Sequence, residues 1–222
     1  MSAWDAVWAR DSYSDPGLRL AKVRFKHRVF REMGVDFASF RSFLDVGCGA
    51  GWFSKHVAET YGARVLGVDS SEVGIEQAVR INSHALVQFQ HGSVENVPGQ
   101  FDALSLLGVL EHNHEAEQLL QSAVSRIKPG GLALLCWSNR LSIFALERQI
   151  REISGSWSYG YTRETTSRRL RDMSERSGLR TLSLETRPNE PMEGVLARLD
   201  GRSHQVASAF GRYLFYVGVL AE

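Results

Sequence analysis

The sequence predicts an α/β fold: an open, doubly wound parallel sheet of about seven strands with helices on both faces. Between residues 40 and 137, short apolar runs alternate with segments of helical spacing. One of these runs, 101–107, is almost wholly apolar, which is typical of a parallel strand covered on both faces. A length of 222 residues fits one large domain, and no linker, repeat or low-complexity tract divides it.

The first five strands and their helices follow in strict alternation. Strands are predicted at 43–46, 64–68, 86–89, 101–107 and 132–137. Helices are predicted at 18–33, 51–61, about 70–82 with Ser70 or Ser71 as the cap, and 115–127. We expect the last of these helices to stop at the run Lys128-Pro129-Gly130-Gly131.

The last third of the chain breaks this rhythm. Residues 138–162 are aromatic and aperiodic, so we expect a small lid there. A helix at 163–177 and two strands at 179–184 and 212–220, expected as an antiparallel pair, complete the fold. One domain over 1–222 is thus predicted to comprise a helical cover (1–35), a cofactor-binding core (40–137), a lid insertion (138–162) and a C-terminal helix with strands (163–222).

The composition indicates a cytoplasmic protein without a polyanionic partner. The formal net charge is +1, which gives no reason to expect a nucleic acid. Basic residues do concentrate between Arg19 and Arg31, and we interpret them as the solvated face of a helix. The chain opens without a signal peptide, its apolar runs are too short to span a bilayer, and its two cysteines, Cys48 and Cys136, lie in apolar segments.

The most informative stretch runs from Asp45 to Trp52 and reads Asp-Val-Gly-Cys-Gly-Ala-Gly-Trp. A buried strand leads directly into Gly47, Gly49 and Gly51, where a nucleotide binds in an open α/β sheet. The dinucleotide fingerprint would need glycine at position 52, which is tryptophan, so a pyrophosphate ligand is disfavoured. Asp69, at the end of the next strand, is suited to accept both hydroxyls of a ribose.

These features resemble the class I S-adenosylmethionine-dependent methyltransferases. The segments 91–98, 101–112 and 127–131 are similar to the family's third motif, its fourth-strand motif and the turn before strand five. The runs Leu110-Glu111-His112 and Ser138-Asn139-Arg140 are closest to the small-molecule enzymes that include ubiquinone-biosynthesis O-methyltransferases. The resemblance covers residues 40–137 and fades after 140; it implies a Rossmann-like sheet, S-adenosylmethionine as cofactor and a small acceptor.

Ten residues are expected to bind the cofactor. They are Asp45, Gly47, Cys48, Gly49, Gly51, Asp69, Ser70, Ser93, Val94 and Leu107. Asp45 is expected to accept from the ammonium of the methionine moiety, with pinning of the loop as its alternative. Ser93 replaces the acid of the family's third motif, so the adenine contact is weaker or is made by the backbone at Val94. Leu106 and Leu107 make one wall of the pocket apolar.

His112 is the candidate general base. It follows strand four at the edge where the methyl group should point, and imidazole titrates near neutrality. The alternative is a histidine that braces the loop together with Glu111. We do not expect a metal at Glu111, His112, His114 and Glu115, because adjacent ligands rarely converge on one ion.

Three other functions compete with this interpretation. A nicotinamide-dependent oxidoreductase is disfavoured by Trp52 and by the lack of a Tyr-x-x-x-Lys pair. A nucleic-acid methyltransferase is disfavoured because 108–111 reads Gly-Val-Leu-Glu in place of Asn/Asp-Pro-Pro-Tyr. A non-catalytic S-adenosylmethionine-binding accessory protein stays open because of Ser93 and the Leu106–Leu107 wall.

Overall fold

In a computed structural model, which describes residues 4–9, 16–188 and 210–221, seven strands form one sheet in the order β3-β2-β1-β4-β5-β7-β6. The strands are β1 Ser42–Val46, β2 Arg64–Asp69, β3 Val87–His91, β4 Phe101–Leu107, β5 Ile127–Ser138, β6 Leu179–Arg187 and β7 Tyr213–Leu220. The first five pair in parallel, and β7 pairs antiparallel with both β5 and β6. This confirms the predicted fold class, and among the described strands β7 alone runs against the rest.

Helices cover both faces of the sheet. They are α1 Asp5–Trp8, α2 Pro16–Glu32, α3 Trp52–Tyr61, α4 Glu72–Asn82, α5 Ala116–Val124, α6 Ile143–Ile153 and α7 Ser167–Arg176. Short 3-10 turns lie at Phe37–Ser39, Val94–Asn96 and Leu110–His112. None of the described helices is long and apolar enough to cross a membrane.

The core consists of two apolar layers, one on each face of the sheet. Side chains along a strand alternate between faces, so the neighbours Phe43 and Leu44 belong to different layers although both are fully buried. Strand β4 behaves in the same way, with Ala103 in one layer and Leu104 in the other. Burial on both faces explains why the central strands are continuous apolar runs.

The stop signal at 128–131 has a different role from the predicted one. Helix α5 ends at Val124, and residues 128–131 lie inside β5. The register with β4 jumps there from the pair Phe101–Ile127 to the pair Ala103–Leu132, so the extra residues bulge out of the ladder. Gly130 has a φ of +75°, which suits such a bulge, and the predicted helix end at 127 was therefore wrong.

Residues 138–162 are not irregular throughout, contrary to the prediction. Ser142 caps α6 by accepting a hydrogen bond from the backbone N–H of Ala145. Apolar side chains at 143, 146, 150 and 153 follow helical spacing but are between 40% and 89% exposed. The following helix, α7, begins later than predicted because Thr166 caps it and Thr165 is held in a bridge to Asn139.

Candidate functional site

The glycine loop between β1 and α3 turns back on strand β2. The N–H groups of Gly47 and Cys48 both donate to the carbonyl of Val68, at 2.7 and 3.1 Å. Gly47, Gly49 and Gly51 have φ values of +70°, +52° and +78°, in the left-handed region where a side chain is strained. The turn therefore requires glycine at each of these positions.

The space beside each glycine is filled by a different part of the chain. A Cβ atom on Gly47 would lie 2.4 Å from the side chain of Val109, in the turn after β4. On Gly49 it would lie 2.0 Å from the indole of Trp8 in α1, and on Gly51 it would lie 2.3 Å from the ring of Phe89 in β3. Close packing therefore leaves no room for a side chain at any of the three positions. Gly47 packs against the turn after β4, Gly49 against α1 and Gly51 against β3.

Asp69 ends β2 directly beside this loop. One carboxylate oxygen accepts the N–H of Gly49 at 2.7 Å, and the other accepts the N–H of Ser71 at 2.8 Å. Burial raises the pKa of this carboxyl group, and the two hydrogen bonds partly oppose the rise. Each carboxylate oxygen has a second lone pair, so Asp69 retains acceptor capacity for ribose hydroxyls. Ser70 follows it as an exposed residue.

Asp45 lies deeper than Asp69, beneath the loop. It is 3% exposed, and its two oxygens accept the hydroxyls of Ser54 and Ser105 at 2.6 and 2.7 Å. Burial raises the pKa of the Asp45 carboxyl group. These contacts favour the second role predicted for Asp45, which is to hold the loop in place. A contact between Asp45 and the ammonium of the methionine moiety stays a prediction.

The remaining predicted positions on the β1–β3 side are Cys48, within the loop, and Ser93 and Val94, which follow β3. Burial raises the pKa of the Cys48 thiol well above its usual value, so Cys48 acts as a neutral packing group. Ser93 precedes the 3-10 turn at 94–96, and its side chain makes no capping hydrogen bond. Val94 is buried in the core. The adenine contacts of Ser93 and Val94 stay predictions.

On the other side of the loop, the end of β4 carries a contact that sequence reasoning missed. The ammonium of Lys26, from α2, donates to the carbonyl of Leu107 at 3.2 Å. Lys26 therefore turns inward and is not part of the solvated basic face to which we assigned it. Its spacing of three residues from Val23 and four from Phe30, both buried, was the available signal.

His112 lies in the 3-10 turn after β4 with one ring nitrogen already engaged. Its Nδ1 is 2.9 Å from the carbonyl oxygen of Tyr161, and a carbonyl can only accept. Nδ1 therefore carries the proton in neutral imidazole, and Nε2 has no hydrogen-bond partner among the residues that the structure describes. Trp4 contacts the ring edge-on, with centroids 4.6 Å apart. Trp4, which precedes α1, and Tyr161, which lies between α6 and α7, thus both contact the ring of the candidate base.

Glu111, the neighbour of His112, is a second buried acid at this edge. It is 3% exposed, and its Oε1 accepts the hydroxyl of Ser138 at 3.0 Å. Its Oε2 is buried and has no hydrogen-bond partner within the part of the chain that the structure describes. The sequence raised Glu111 only as a brace or a disfavoured metal ligand.

The comparisons with known proteins agree on the class of domain. A family model described as "Methyltransferase domain" matches residues 9–184. The ubiquinone biosynthesis O-methyltransferase of Schizosaccharomyces pombe mitochondria is 34% identical over 126 residues, which are 54% of this chain and 45% of that protein. The match therefore spans a little less than half the length of this curated relative.

Solved structures show the same fold at low sequence identity. The magnesium protoporphyrin IX methyltransferase of Synechocystis, solved with S-adenosylhomocysteine, has a TM-score of 0.67 at 16% identity, over 99% of this chain and 93% of that chain. The N-methyltransferase NodS of Bradyrhizobium japonicum, also solved with S-adenosylhomocysteine, has a TM-score of 0.68 at 12% identity, over 100% of both chains. These likenesses concern the fold alone, in which the glycine loop follows β1, Asp69 ends β2 and His112 follows β4.

Proposed function

The chain belongs to the family of S-adenosylmethionine-dependent methyltransferase domains, and on that premise we propose that it methylates a small-molecule acceptor, preferably at oxygen. The observation that carries this proposal is the hydrogen bond from His112 to the Tyr161 carbonyl. It leaves the other imidazole nitrogen without a partner in the described part of the chain, at the carboxyl edge of the sheet, where an open α/β fold binds its ligands. A hydroxyl needs such a proton acceptor when it is methylated.

The residues at this edge fit the cofactor. Asp69 has spare acceptor capacity beside the glycine loop, as ribose hydroxyls require. We expect Leu107, the last residue of β4, to provide an apolar wall of the same pocket. When bound, S-adenosylmethionine supplies an electrophilic methyl group on a positively charged sulfur. Phosphate-binding groups are not needed for such a ligand.

The chain's own residues then have four tasks in the reaction. They bind the nucleoside through Asp69, and they hold the acceptor hydroxyl at about 3 Å from the reacting carbon. His112 takes the hydroxyl proton at Nε2 while its Nδ1–H stays on the Tyr161 carbonyl. Trp4, together with the segment that contains Tyr161, excludes water from this corner.

The proposal is tested by incubating the chain with methyl-labelled S-adenosylmethionine and phenol, benzoate, aniline or thiophenol as probes. We expect S-adenosylhomocysteine to form in step with a labelled methyl ether of the phenolic probe, both measured by liquid chromatography. Labelled product from aniline or thiophenol alone would contradict methylation at oxygen. Tight cofactor binding with no labelled product from any acceptor would favour the accessory protein.

A further inference from the structure

Helix α6 carries its apolar stripe on the side that faces solvent. Leu146, Ile150 and Ile153 are 60%, 59% and 89% exposed in the folded domain. The charged Arg148 lies two residues from both Leu146 and Ile150, which is the opposite side of a helix. There its guanidinium Nη2 donates to Glu164 Oε2 at 3.1 Å, and its side chain is only 11% exposed. A surface helix normally buries its apolar stripe, so the orientation of α6 is the one expected of a helix that binds a partner.

The spacing within this stripe suits a second copy of the same helix. Its members are Ile143, Leu146, Ile150 and Ile153, separated by three, four and three residues, as in the seam of a short coiled coil. This order of spacings is the same in both directions, so the stripe matches its own reversed copy. Across a twofold axis perpendicular to the helix, two copies of α6 run antiparallel. Ile143 then faces the partner's Ile153, and Leu146 faces the partner's Ile150.

The polar residues beside the stripe are also compatible with a second copy. One flank carries Glu147 and Arg151, which form an ion pair within the helix, and the other carries the neutral Gln149. In the antiparallel pair each flank meets its own copy. The two Glu147–Arg151 pairs then lie side by side, with each arginine near the partner's Glu147. These surface pairs add little binding energy, but they leave no uncompensated charge at the contact.

The charges of α6 do not favour an anionic membrane as the partner. A helix that lies on such a membrane typically carries an excess of Lys and Arg on its polar side. Helix α6 carries two arginines and two glutamates, so its charges balance. Ion pairs within the helix join all four, Arg151 with Glu147 and Arg148 with Glu152. A neutral, apolar and self-complementary surface therefore remains as the requirement for the partner.

We propose that α6 is a self-association surface, on which a second copy of this chain docks with its own α6 in antiparallel orientation. A helix of 11 residues is about 16 Å long and about 10 Å wide. Two such helices cover less than the about 800 Å² per partner of a standard stable interface. The dimer is therefore weak and forms as the protein concentration rises.

The test is sedimentation velocity of the full chain between about 5 µM and about 500 µM. We expect the mass of the wild type to rise from that of one chain towards that of two. Leu146→Glu and Ile153→Glu should stay monomeric over this range, because each would bury a charge in the seam. Both side chains are exposed, so neither change removes core packing. The matched control is Val79→Glu in α4, a residue that is 55% exposed, and it should dimerise like the wild type.

Disulfide cross-linking tests the antiparallel orientation. An equimolar mixture of Leu146→Cys and Ile150→Cys should form cross-linked dimers several-fold faster than either variant alone. The reason is that only the mixture brings two new thiols face to face. Wild type, with Cys48 and Cys136 as its cysteines, gives the background.

Three results would overturn the proposal. The first is a wild type that is monomeric at every concentration, and the second is a dimer that Leu146→Glu and Ile153→Glu leave intact. The third is a monomer that cosediments with phosphatidylcholine vesicles and loses this binding in Leu146→Glu, which would assign the stripe to a membrane surface. Faster cross-linking of Leu146→Cys alone than of the mixture would contradict the antiparallel orientation.

Discussion

Asp69 holds the glycine loop through the N–H of Gly49, and we expect its remaining lone pairs to accept hydrogen bonds from the ribose of a ligand. We predict that Asp69→Ala weakens binding of S-adenosylhomocysteine by about 2–3 kcal/mol, because two ribose hydroxyls lose a charged acceptor. The free energy of unfolding should also fall, by about 1–3 kcal/mol for each buried N–H group that loses its acceptor, those of Gly49 and Ser71. Calorimetry and urea unfolding measure the two effects.

Asp102 provides a matched control for this substitution. Its carboxylate also accepts two backbone N–H groups, those of Arg41 and Ser42, both at 2.8 Å, but at the opposite edge of the sheet. Asp102→Ala should therefore lower stability and leave cofactor affinity unchanged. Equal loss of affinity in both variants would mean that Asp69 acts only through the stability of the fold.

His112→Ala should reduce turnover by about 10²–10⁴-fold, the usual contribution of a general base, with little change in cofactor affinity. The imidazole touches Trp4 and Tyr161, not the glycine loop, which is why binding should survive. His84→Ala, at the amino edge of β3, should behave like wild type. A His112→Ala variant within a few-fold of wild type would indicate activation by position alone.

At the residue scale, the sequence predicts those features of the candidate site that depend only on residues close together along the chain. The glycine spacing and the position of Asp69 at a strand end are visible as patterns. The partners of Asp45 are not, because Ser105 is 60 residues away and meets it only through strand pairing. The missing partner of Glu111 is equally invisible, since an unpaired oxygen is defined by everything packed around it.

Among the elements, α1 connects the loop and the candidate base. Trp8 lies against Gly49, Asp5 accepts the hydroxyl of Ser71 at 2.7 Å, and Trp4 contacts His112. We predict that S-adenosylhomocysteine slows hydrogen exchange in 5–9 and in 160–163, because the ligand fixes the surfaces on which both segments rest. The remote helix α7 should show no change. Equal protection with and without ligand would show that both segments are ordinary core.

The packing of α2 on α3 makes stability depend on pH. His27 lies 4.7 Å from the His56 ring, between centroids, and burial, followed by the neighbouring His56, lowers the pKa of His27 from 6.5 to about 4. The unfolded chain then binds more protons between these values, so stability falls as the pH drops from 6.5 towards 4. Allowing for partial exposure, the loss is on the order of 1 kcal/mol.

Urea unfolding at several pH values tests this dependence, with His27→Gln as the comparison. The variant should lose less stability than wild type on acidification, because it lacks the proton-binding site that distinguishes the two states. Identical slopes for wild type and His27→Gln would show that other groups cause the acid sensitivity.

At the element scale, the strands were more predictable than the helices of the last third. Burial on both faces imposes continuous apolar runs on β1, β2 and β4, and these are apparent without a structure. Helix α6 was missed because its aromatic flanks suggested irregular structure, although its apolar positions follow helical spacing. The bulge in β5 was misread because a Pro-Gly-Gly run ends helices and interrupts strands equally well.

For the whole molecule, the sheet order explains why distant residues form one site. The parallel strands β1, β2 and β4 all deliver their carboxyl ends to the same edge, which gathers the glycine loop, Asp69 and His112. The number of strands and the antiparallel ending were predictable from the order of apolar runs. The exchange of β6 and β7 in space was not, because pairing between these strands is decided by tertiary contacts.

The central claim, that this edge binds S-adenosylmethionine, is tested most directly by calorimetric titration with S-adenosylmethionine, S-adenosylhomocysteine and NADH. We expect S-adenosylmethionine and S-adenosylhomocysteine to bind with micromolar affinity, about −8 kcal/mol. We expect no heat with NADH, because Trp52 occupies the position at which a dinucleotide-binding loop needs glycine. Clear binding of NADH without heat from either S-adenosyl compound would contradict the account.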